Sequence, residues 1–212
     1  MAEGLTSDTE IAAHTIGHYE SHAESYRAGT RDHDVSQNIT ALLEAIRAEP
    51  PFDILDLGCG PGRDLATFSA LGHRAIGLDG SPRFVRMART DTACAVWQQD
   101  LLALDLPAAA FDGVFANAVL FHIPSAALPR VLSELYACLK PAGVLFLSNP
   151  RGPGQEGWFG ERFGHYCDLP QWRAYLEAAG FSEITHYYRP PGRPRDQQPW
   201  LAGTWRKEPV PD

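Results

Sequence analysis

The stretch that decides the fold is Phe52-Asp-Ile-Leu-Asp-Leu-Gly-Cys-Gly-Pro-Gly62. Its apolar first half predicts a buried strand that ends near Leu57. The glycines that follow let the backbone turn tightly and approach a ligand closely. We expect a helix from residue 63 to about Leu71, whose first N–H groups are free to face a ligand. The stretch therefore predicts a strand, a glycine turn and a helix.

Outward from this turn, short apolar runs alternate with helical patterns. Further strands are predicted at 75–78, 95–97, 111–116, 144–147, 181–189 and 200–206. Helices are predicted at 8–28, from the cap Asp34 to Pro50, from Ser81, at 126–139, and from the cap Asp168 to Gly180. Strands that alternate with helices predict an α/β fold with a parallel sheet. Residues 208–212 are expected to form a frayed tail.

Composition limits the classes of partner. The chain has 212 residues, of which 44% are apolar, and a net charge of −8. This acidic balance argues against nucleic acid, since phosphate contacts need clustered Lys and Arg. The start, MAEGLTSDTE, has neither the basic nor the apolar region of a secretory signal. The longest stretch without charged side chains, 113–129, is too polar for a membrane span. We expect a cytoplasmic protein that binds neither nucleic acid nor membranes.

Neither the cysteines nor the one Asp/His cluster in the sequence predicts a metal site. The cysteines, Cys59, Cys94, Cys138 and Cys167, are far apart, and none has metal-site spacing. We expect them to be reduced thiols. Asp32-His33-Asp34 has suitable residue types, but three consecutive residues rarely ligate one ion, so we expect Asp34 to act as a helix cap.

Acidic residues follow the first three strands. Asp79 ends the second strand, 17 residues beyond Gly62, and Asp100 ends the third. A carboxylate in the position of Asp79 can accept both hydroxyls of a ribose. Glycines at 58, 60 and 62, with Arg63 next, depart from the G-x-G-x-x-G pattern of dinucleotide sites. Asp56 would repel a pyrophosphate and attract an ammonium or sulfonium group. These features favour S-adenosylmethionine.

Five ordered motifs carry a family resemblance. The segments ILDLGCGPG, GLDGSPRFVRMAR, QQDLLAL, FDGVFANAVLFHIP and LKPAGVLFLS are similar to those of class I S-adenosylmethionine-dependent methyltransferases. The chain looks closest to the small-molecule group that includes ubiquinone- and menaquinone-biosynthesis enzymes. The resemblance covers about residues 19–150.

The resemblance implies a set of cofactor-binding residues. Asp56 and the backbone from Gly58 through Cys59 and Gly60 to Gly62 and Arg63 would hold the methionyl part. Asp79, with Gly80 and Ser81, would bind the ribose, and Phe84, Asp100 and Leu101 the adenine. Asn117 would flank the sulfonium, and His122 matches a family histidine that either packs or acts in the chemistry. Tyr19 and Tyr26, in a segment that commonly covers the cofactor, are either lid or core residues, and Glu20 replaces the family's Asp.

The segment 151–167 follows the fifth strand, where substrate loops often lie. Arg151 and Arg162 could pair with a substrate carboxylate. His165 and Tyr166, together with His122, are the candidate catalytic residues, because they could orient a nucleophile or take its proton. The alternative is a solvated loop.

We predict one domain over 1–212, with a lid helix at 1–33, a cofactor-binding core at 34–150, the substrate loop at 151–167, and a C-terminal helix and hairpin at 168–207. Its seven-stranded, mostly parallel sheet should carry helices on both faces. The proline-rich segment 190–199 should insert the last strand antiparallel.

The predicted reaction is in-line methyl transfer to a small polar metabolite, with S-adenosylhomocysteine as the product. The alternatives are an NAD-linked oxidoreductase and a non-catalytic S-adenosylmethionine-binding module. We expect a monomer or a homodimer.

Overall fold

The computed structural model describes residues 7–208. Residues 1–6 of the predicted lid segment and residues 209–212 of the predicted tail therefore lie outside the described part. The helices are α1 Asp8–Ser21, α2 Ala23–Thr30, α3 Ser36–Ala45, α4 Arg63–Ala70, α5 Pro82–Thr92, α6 Leu128–Cys138 and α7 Leu169–Ala178. The strands are β1 Asp53–Leu57, β2 Arg74–Asp79, β3 Ala95–Gln98, β4 Phe111–Asn117, β5 Leu139–Pro150, β6 Gln155–Phe159, β7 Arg162–Tyr166, β8 Phe181–Arg189 and β9 Trp200–Lys207.

Seven strands form one sheet in the order β3-β2-β1-β4-β5-β9-β8. Six run parallel, and β9 is antiparallel to both of its neighbours, which confirms the predicted direction of the last strand. The order reverses between β1 and β4, and such a reversal opens a crevice at the carboxyl ends of the strands.

Helices cover both faces of this sheet. Neighbouring residues of one strand enter opposite cores, since side chains alternate across a strand. Val114 packs on the face of α6 and α7, with Leu132 and Trp172. Phe115 packs on the opposite face against Phe68 and Phe146, with ring centroids 5.2 and 4.9 Å away. Within residues 7–208, no helix combines the length and apolar character that a membrane crossing needs.

The predicted single helix at 8–28 is wrong, because it breaks at His22 into α1 and α2. The hydroxyl of Ser21 donates to the carbonyl of Gly17, and Nδ1 of His22 lies 2.8 Å from the carbonyl of His18. Side-chain bonds of this kind compete with the helical ladder.

The predicted loop at 151–167 also contains regular structure. Strands β6 and β7 pair antiparallel around Gly160 and Glu161, and Gly160 has a φ of +67°. A two-residue turn with glycine in this conformation is typical of a β-hairpin, so the prediction of an irregular loop over these residues is wrong.

Asp34 does not cap a helix in the predicted way. α3 begins at Ser36 after Val35 and ends at Ala45, before Pro50. Asp34 instead accepts a hydrogen bond from the backbone N–H of Ser36 at 2.9 Å. The predicted cap at Asp168 is confirmed, with Gln171 completing a capping box.

Candidate active site

The glycine turn lies where β1 meets the sheet crevice. Gly58, Gly60 and Gly62 have φ values of +69°, +53° and +94°, a region that favours glycine. The N–H groups of Gly58 and Cys59 donate to the carbonyl of Leu78 at 2.8 and 3.0 Å. The turn is therefore held against the end of β2 with its backbone exposed to the crevice.

Asp79 joins the turn to the start of α5. Its Oδ2 accepts from the N–H of Gly60 at 2.9 Å, and its Oδ1 accepts from the N–H of Ser81 at 2.8 Å. Burial raises the pKa of Asp79 to about 6, against the lowering effect of these two hydrogen bonds. Each carboxylate oxygen has a second lone pair, so Asp79 can still accept two hydroxyl groups.

Asp56 is an acidic group without a full set of partners. It is buried, and its Oδ2 has no hydrogen-bond partner among the described residues. Burial, and then the neighbouring charge of Asp64, raise the pKa of Asp56 well above its ordinary value. Asp64 is itself paired with Arg63, whose Nε lies 2.6 Å from Oδ1. The raised pKa favours the neutral acid, and a positive charge placed nearby would favour the carboxylate.

An inner cavity extends from the turn toward β3. Its wall includes Asp79, Phe84, Asp100, Leu101 and Val119. Asp100 accepts from the N–H of Leu102 at 2.8 Å. The carboxylates and the apolar side chains together can bind a molecule with hydroxyl groups at one end and a flat ring at the other.

Two tyrosines of the N-terminal helices close this cavity. Tyr19 and Tyr26 meet edge to face at 5.5 Å, and the Tyr26 ring lies 5.3 Å from Phe84. Both tyrosines line the inner cavity. Tyr19 and Tyr26 therefore form part of the cavity wall, as expected for lid residues, one of the two roles predicted for them.

A chain of hydrogen bonds holds Tyr19 in place. Nδ1 of His122 lies 2.6 Å from the carbonyl of Phe163, so this nitrogen must donate. The other nitrogen, Nε2, is then an acceptor, and the Tyr19 hydroxyl donates to it at 2.8 Å. The Tyr19 oxygen in turn accepts from Nη1 of Arg162 at 3.2 Å. Burial lowers the pKa of His122 to about 4, so the imidazole is neutral at pH 7.

Glu20, which the residue pattern marked only as a departure from the family, anchors α1. Its Oε2 accepts from the Ser81 hydroxyl at 2.6 Å and from the N–H of Arg83 at 2.8 Å. Burial of Glu20 opposes ionisation, but these hydrogen bonds outweigh it and lower the pKa. A Cβ on Gly80 would lie 2.7 Å from Cδ1 of Ile16, so α1 packs closely on this turn.

An outer cavity adjoins the inner one. Its wall includes Arg63, Asn117, Ser148, Arg162, Arg189 and Trp200. Both cavities are lined by Tyr19, Tyr26, Gly58, Gly60 and Ala118. The buried hydroxyl of Ser148 has no hydrogen-bond partner among residues 7–208. A ligand in the inner cavity can therefore present one end to a second molecule in the outer cavity.

Comparison with known proteins gives a likeness to methyltransferases. Residues 54–143 match a family described as a methyltransferase domain. Trans-aconitate 2-methyltransferase from Azoarcus sp. (strain BH72) is 37% identical over 112 residues, which are 52% of this chain and 44% of that protein. The 1,6-didemethyltoxoflavin-N1-methyltransferase of Burkholderia thailandensis, solved with 1,6-didemethyltoxoflavin and S-adenosylhomocysteine, is 25% identical. It superposes with a TM-score of 0.79 over 99% of this chain and 94% of its own.

The chain is therefore similar, over residues 54–143, to the methyltransferase domain family, and it shares the fold of a solved methyltransferase. It spans less than half the length of the curated trans-aconitate 2-methyltransferases that it matches, 44% and 42% for those of Azoarcus and Methylobacterium radiotolerans. The narrower likeness to ubiquinone-biosynthesis enzymes stays a prediction.

Most of the predicted cofactor residues line the cavities. The inner cavity contains Tyr19, Tyr26, Gly58, Gly60, Asp79, Gly80, Ser81, Phe84, Asp100, Leu101 and His122. Cys59, Arg63 and Asn117 line the outer cavity. The amide of Asn117 donates to Asp64 and accepts from Asn38, both at 3.1 Å, and these bonds hold its orientation.

Two predicted cofactor residues line neither cavity. Asp56 is buried at the end of β1. Gly62 lies where α4 meets α5, and a Cβ there would lie 2.9 Å from Thr92 and 3.0 Å from Ala88. The glycine at 62 therefore permits close packing of the two helices, which is a structural role.

The candidate substrate residues separate in the structure. Of the four, only Arg162 lines the outer cavity. His165 faces the opposite side of β7, where its Nε2 lies 3.1 Å from Sγ of Cys167, and it lines neither cavity. Tyr166 packs against Phe121 at the cavity rim, with ring centroids 5.8 Å apart.

Arg151, the fourth, is engaged elsewhere. Its Nε donates to the carbonyl of Gln198 at 2.6 Å, and it also donates to the carbonyl of Arg195. The predicted clamp of Arg151 with Arg162 is wrong, because Arg151 holds the proline-rich segment. Strand alternation alone places His165 and Arg162 on opposite faces of β7, but this required the strand to be recognised.

Proposed function

We propose that this protein transfers the methyl group of S-adenosylmethionine to a small polar acceptor bound in the outer cavity. The observation that carries the proposal is the common wall of the two cavities. Gly58, Gly60 and Ala118 line both, so a methyl group at this wall would face the acceptor.

The residues of the site fit the cofactor. Asp79 has free lone pairs for the ribose hydroxyls, and Phe84 offers an apolar surface for the adenine. Asp56 lines neither cavity, so we assign it no direct contact with the cofactor. When bound, the cofactor would supply a methyl group carried on a positively charged sulfur. After the transfer, that sulfur would remain in S-adenosylhomocysteine as a neutral thioether.

The chain itself contributes position and exclusion of water. Tyr19 and Tyr26 cover the cavity, and Glu20 holds α1 against α5. A general base is needed only when the acceptor keeps its proton at neutral pH. Nε2 of His122 already accepts a hydrogen bond from the Tyr19 hydroxyl. We therefore propose that His122 positions Tyr19.

The outer cavity suits an acceptor that carries an acidic group. Arg162 and Arg189 both line it. One N–H of Arg162 donates to the Tyr19 hydroxyl oxygen at 3.2 Å. A guanidinium has five N–H donors, so others can bind an acceptor molecule. A relative named for trans-aconitate is consistent with an acidic acceptor. The acceptor itself, the monomeric or homodimeric state, the absence of a nucleic-acid partner and the cytoplasmic location stay predictions.

Two measurements test the proposed function. Calorimetry should detect binding of S-adenosylhomocysteine to the protein and should detect no binding of NAD+. Transfer of a labelled methyl group into a metabolite extract should then give a labelled small acid, and Arg162→Ala should raise the KM for it. Binding of NAD+ would favour the oxidoreductase alternative. Binding of S-adenosylhomocysteine without any transfer would favour the non-catalytic module.

A further inference from the structure

A group of metal-ligating side chains lies on the outer surface of the lid, away from both cavities. His18 and His22 are four residues apart at the end of α1, and Glu161 lies in the turn between β6 and β7. One ligand atom from each lies within 4.8 Å of the other two. The proposed methyl transfer does not use any of these side chains.

His18 already contacts both of the other side chains. Nδ1 of His18 lies 3.0 Å from Oε2 of Glu161. The rings of His18 and His22 stack with centroids 4.4 Å apart. His22 and Glu161 are exposed, so small side-chain rotations can bring all three groups to one ion without any change in the backbone.

We infer that His18, His22 and Glu161 form a binding site for a divalent transition-metal ion such as Zn²⁺, which links the lid helix α1 to the β6–β7 hairpin. Two imidazoles and one carboxylate are a donor set that zinc takes in proteins, with water in the remaining position. The cysteine spacing gave no sign of this site, because its ligands are helix-spaced histidines and a carboxylate from a hairpin turn.

The position of the site suggests what the ion does. Tyr19 follows His18 in the chain, and Arg162 follows Glu161. These two neighbours bond to each other at 3.2 Å where the lid covers the inner cavity. An ion would therefore cross-link the two segments directly behind this contact. Zinc should therefore tighten the binding of S-adenosylhomocysteine, and S-adenosylhomocysteine should tighten the binding of zinc by the same factor, because coupling between two ligands is reciprocal. This expectation rests on the proposed function.

Zinc titration of the full chain against a fluorescent chelator tests the site without any cofactor. One equivalent of Zn²⁺ should bind, and His22→Ala and Glu161→Gln should each weaken it at least tenfold. The matched control is His186→Ala. His186 also pairs with a carboxylate, with Nδ1 2.6 Å from Oε1 of Glu183, but lies outside the described cluster, so this change should leave zinc affinity unaltered.

Three results would overturn the inference. Unchanged affinity in His22→Ala would show that zinc binds elsewhere. A full loss in His186→Ala would show the same. Unchanged affinity in Glu161→Gln would show that any ion is held by the helix alone and does not link it to the hairpin. None of these results depends on methyl transfer, so failure of the zinc site and failure of the proposed function are distinguishable.

Discussion

The hydroxyl of Tyr19 donates to Nε2 of His122 over 2.8 Å, and the two residues are 103 positions apart in the chain. This bond ties the N-terminal lid to the short 3-10 turn that follows β4. His122 can accept it because its other nitrogen donates to the carbonyl of Phe163. One imidazole thus connects the lid, the sheet crevice and the β6–β7 hairpin.

Tyr19→Phe removes the hydroxyl that is hydrogen-bonded to both His122 and Arg162. Nε2 of His122 and Nη1 of Arg162 each lose a partner, and such a loss costs about 1–3 kcal/mol when the group is buried. We expect a lower free energy of unfolding and faster dissociation of S-adenosylhomocysteine, measured by stopped-flow fluorescence. Tyr26→Phe is the control, because the Tyr26 hydroxyl takes no part in these hydrogen bonds. Equal rates in both variants would contradict the assigned role.

Asp79→Ala should weaken binding of S-adenosylhomocysteine at least tenfold, or about 1.4 kcal/mol. The variant loses the acceptors for the ribose hydroxyls and also the contact that holds the N–H of Gly60. Calorimetry measures the effect directly. An unchanged dissociation constant would remove Asp79 from the binding site.

The same carboxyl predicts a pH dependence. Because burial raises the pKa of Asp79 to about 6, the group is ionised at pH 7 and protonated at pH 5. Protonation removes acceptors for the ribose, so affinity for S-adenosylhomocysteine should fall as the pH falls through 6. Calorimetry at pH 7 and pH 5 measures the fall, and Asp79→Asn should abolish it. A fall of equal size in that variant would assign the titration to another group.

The contribution of Asp79 to the stability of the ligand-free protein should show the opposite trend. A carboxyl with a raised pKa favours the folded state below its ordinary pKa of 3.8, and this contribution is lost as the pH rises through about 6. Asp53 behaves in the reverse sense, because Arg74 foremost lowers its pKa to about 2, but its window lies below pH 4. Between pH 5 and pH 7, His122 acts in the opposite sense to Asp79, because burial lowers its pKa to about 4. Urea unfolding of the protein and of Asp79→Asn at these two pH values isolates the Asp79 contribution, and the stability of the protein relative to the variant should be lower at pH 7 than at pH 5.

Two glycines of the turn should respond differently to alanine. A Cβ on Gly58 would lie 2.4 Å from Cγ2 of Val119, whereas one on Gly60 would meet only the Tyr26 ring, at 3.8 Å. Both positions have a positive φ, which costs alanine about 1 kcal/mol. We expect Gly58→Ala to lower the melting temperature markedly. Gly60→Ala should lower it less and should mainly weaken cofactor binding, and the reverse order would contradict the geometry.

Most strands of the sheet and many residues of the cofactor cavity could be predicted from local sequence patterns. The turn at 58–62 and the acids Asp79 and Asp100 could be predicted because each follows a strand, and carboxyl ends of parallel strands meet at one edge. The role of Gly62 could not, since it depends on Ala88 and Thr92 of the next helix. Glu20 was noticed only as a departure, because its partners Ser81 and Arg83 lie more than 60 residues away.

Residue type and spacing along the chain were sufficient to predict the seven strands of the main sheet, the direction of the last strand and the chemical character of the cofactor cavity. They did not predict the helix break at His22 or the β6–β7 hairpin. Only the tertiary structure decided which candidate side chains face the substrate. Arg162 faces the outer cavity and His165 faces away from it, although they belong to one short strand, and the bonds that occupy Arg151 come from a distant proline-rich segment. Such contacts are set by the packing of elements remote in sequence, which local spacing does not encode.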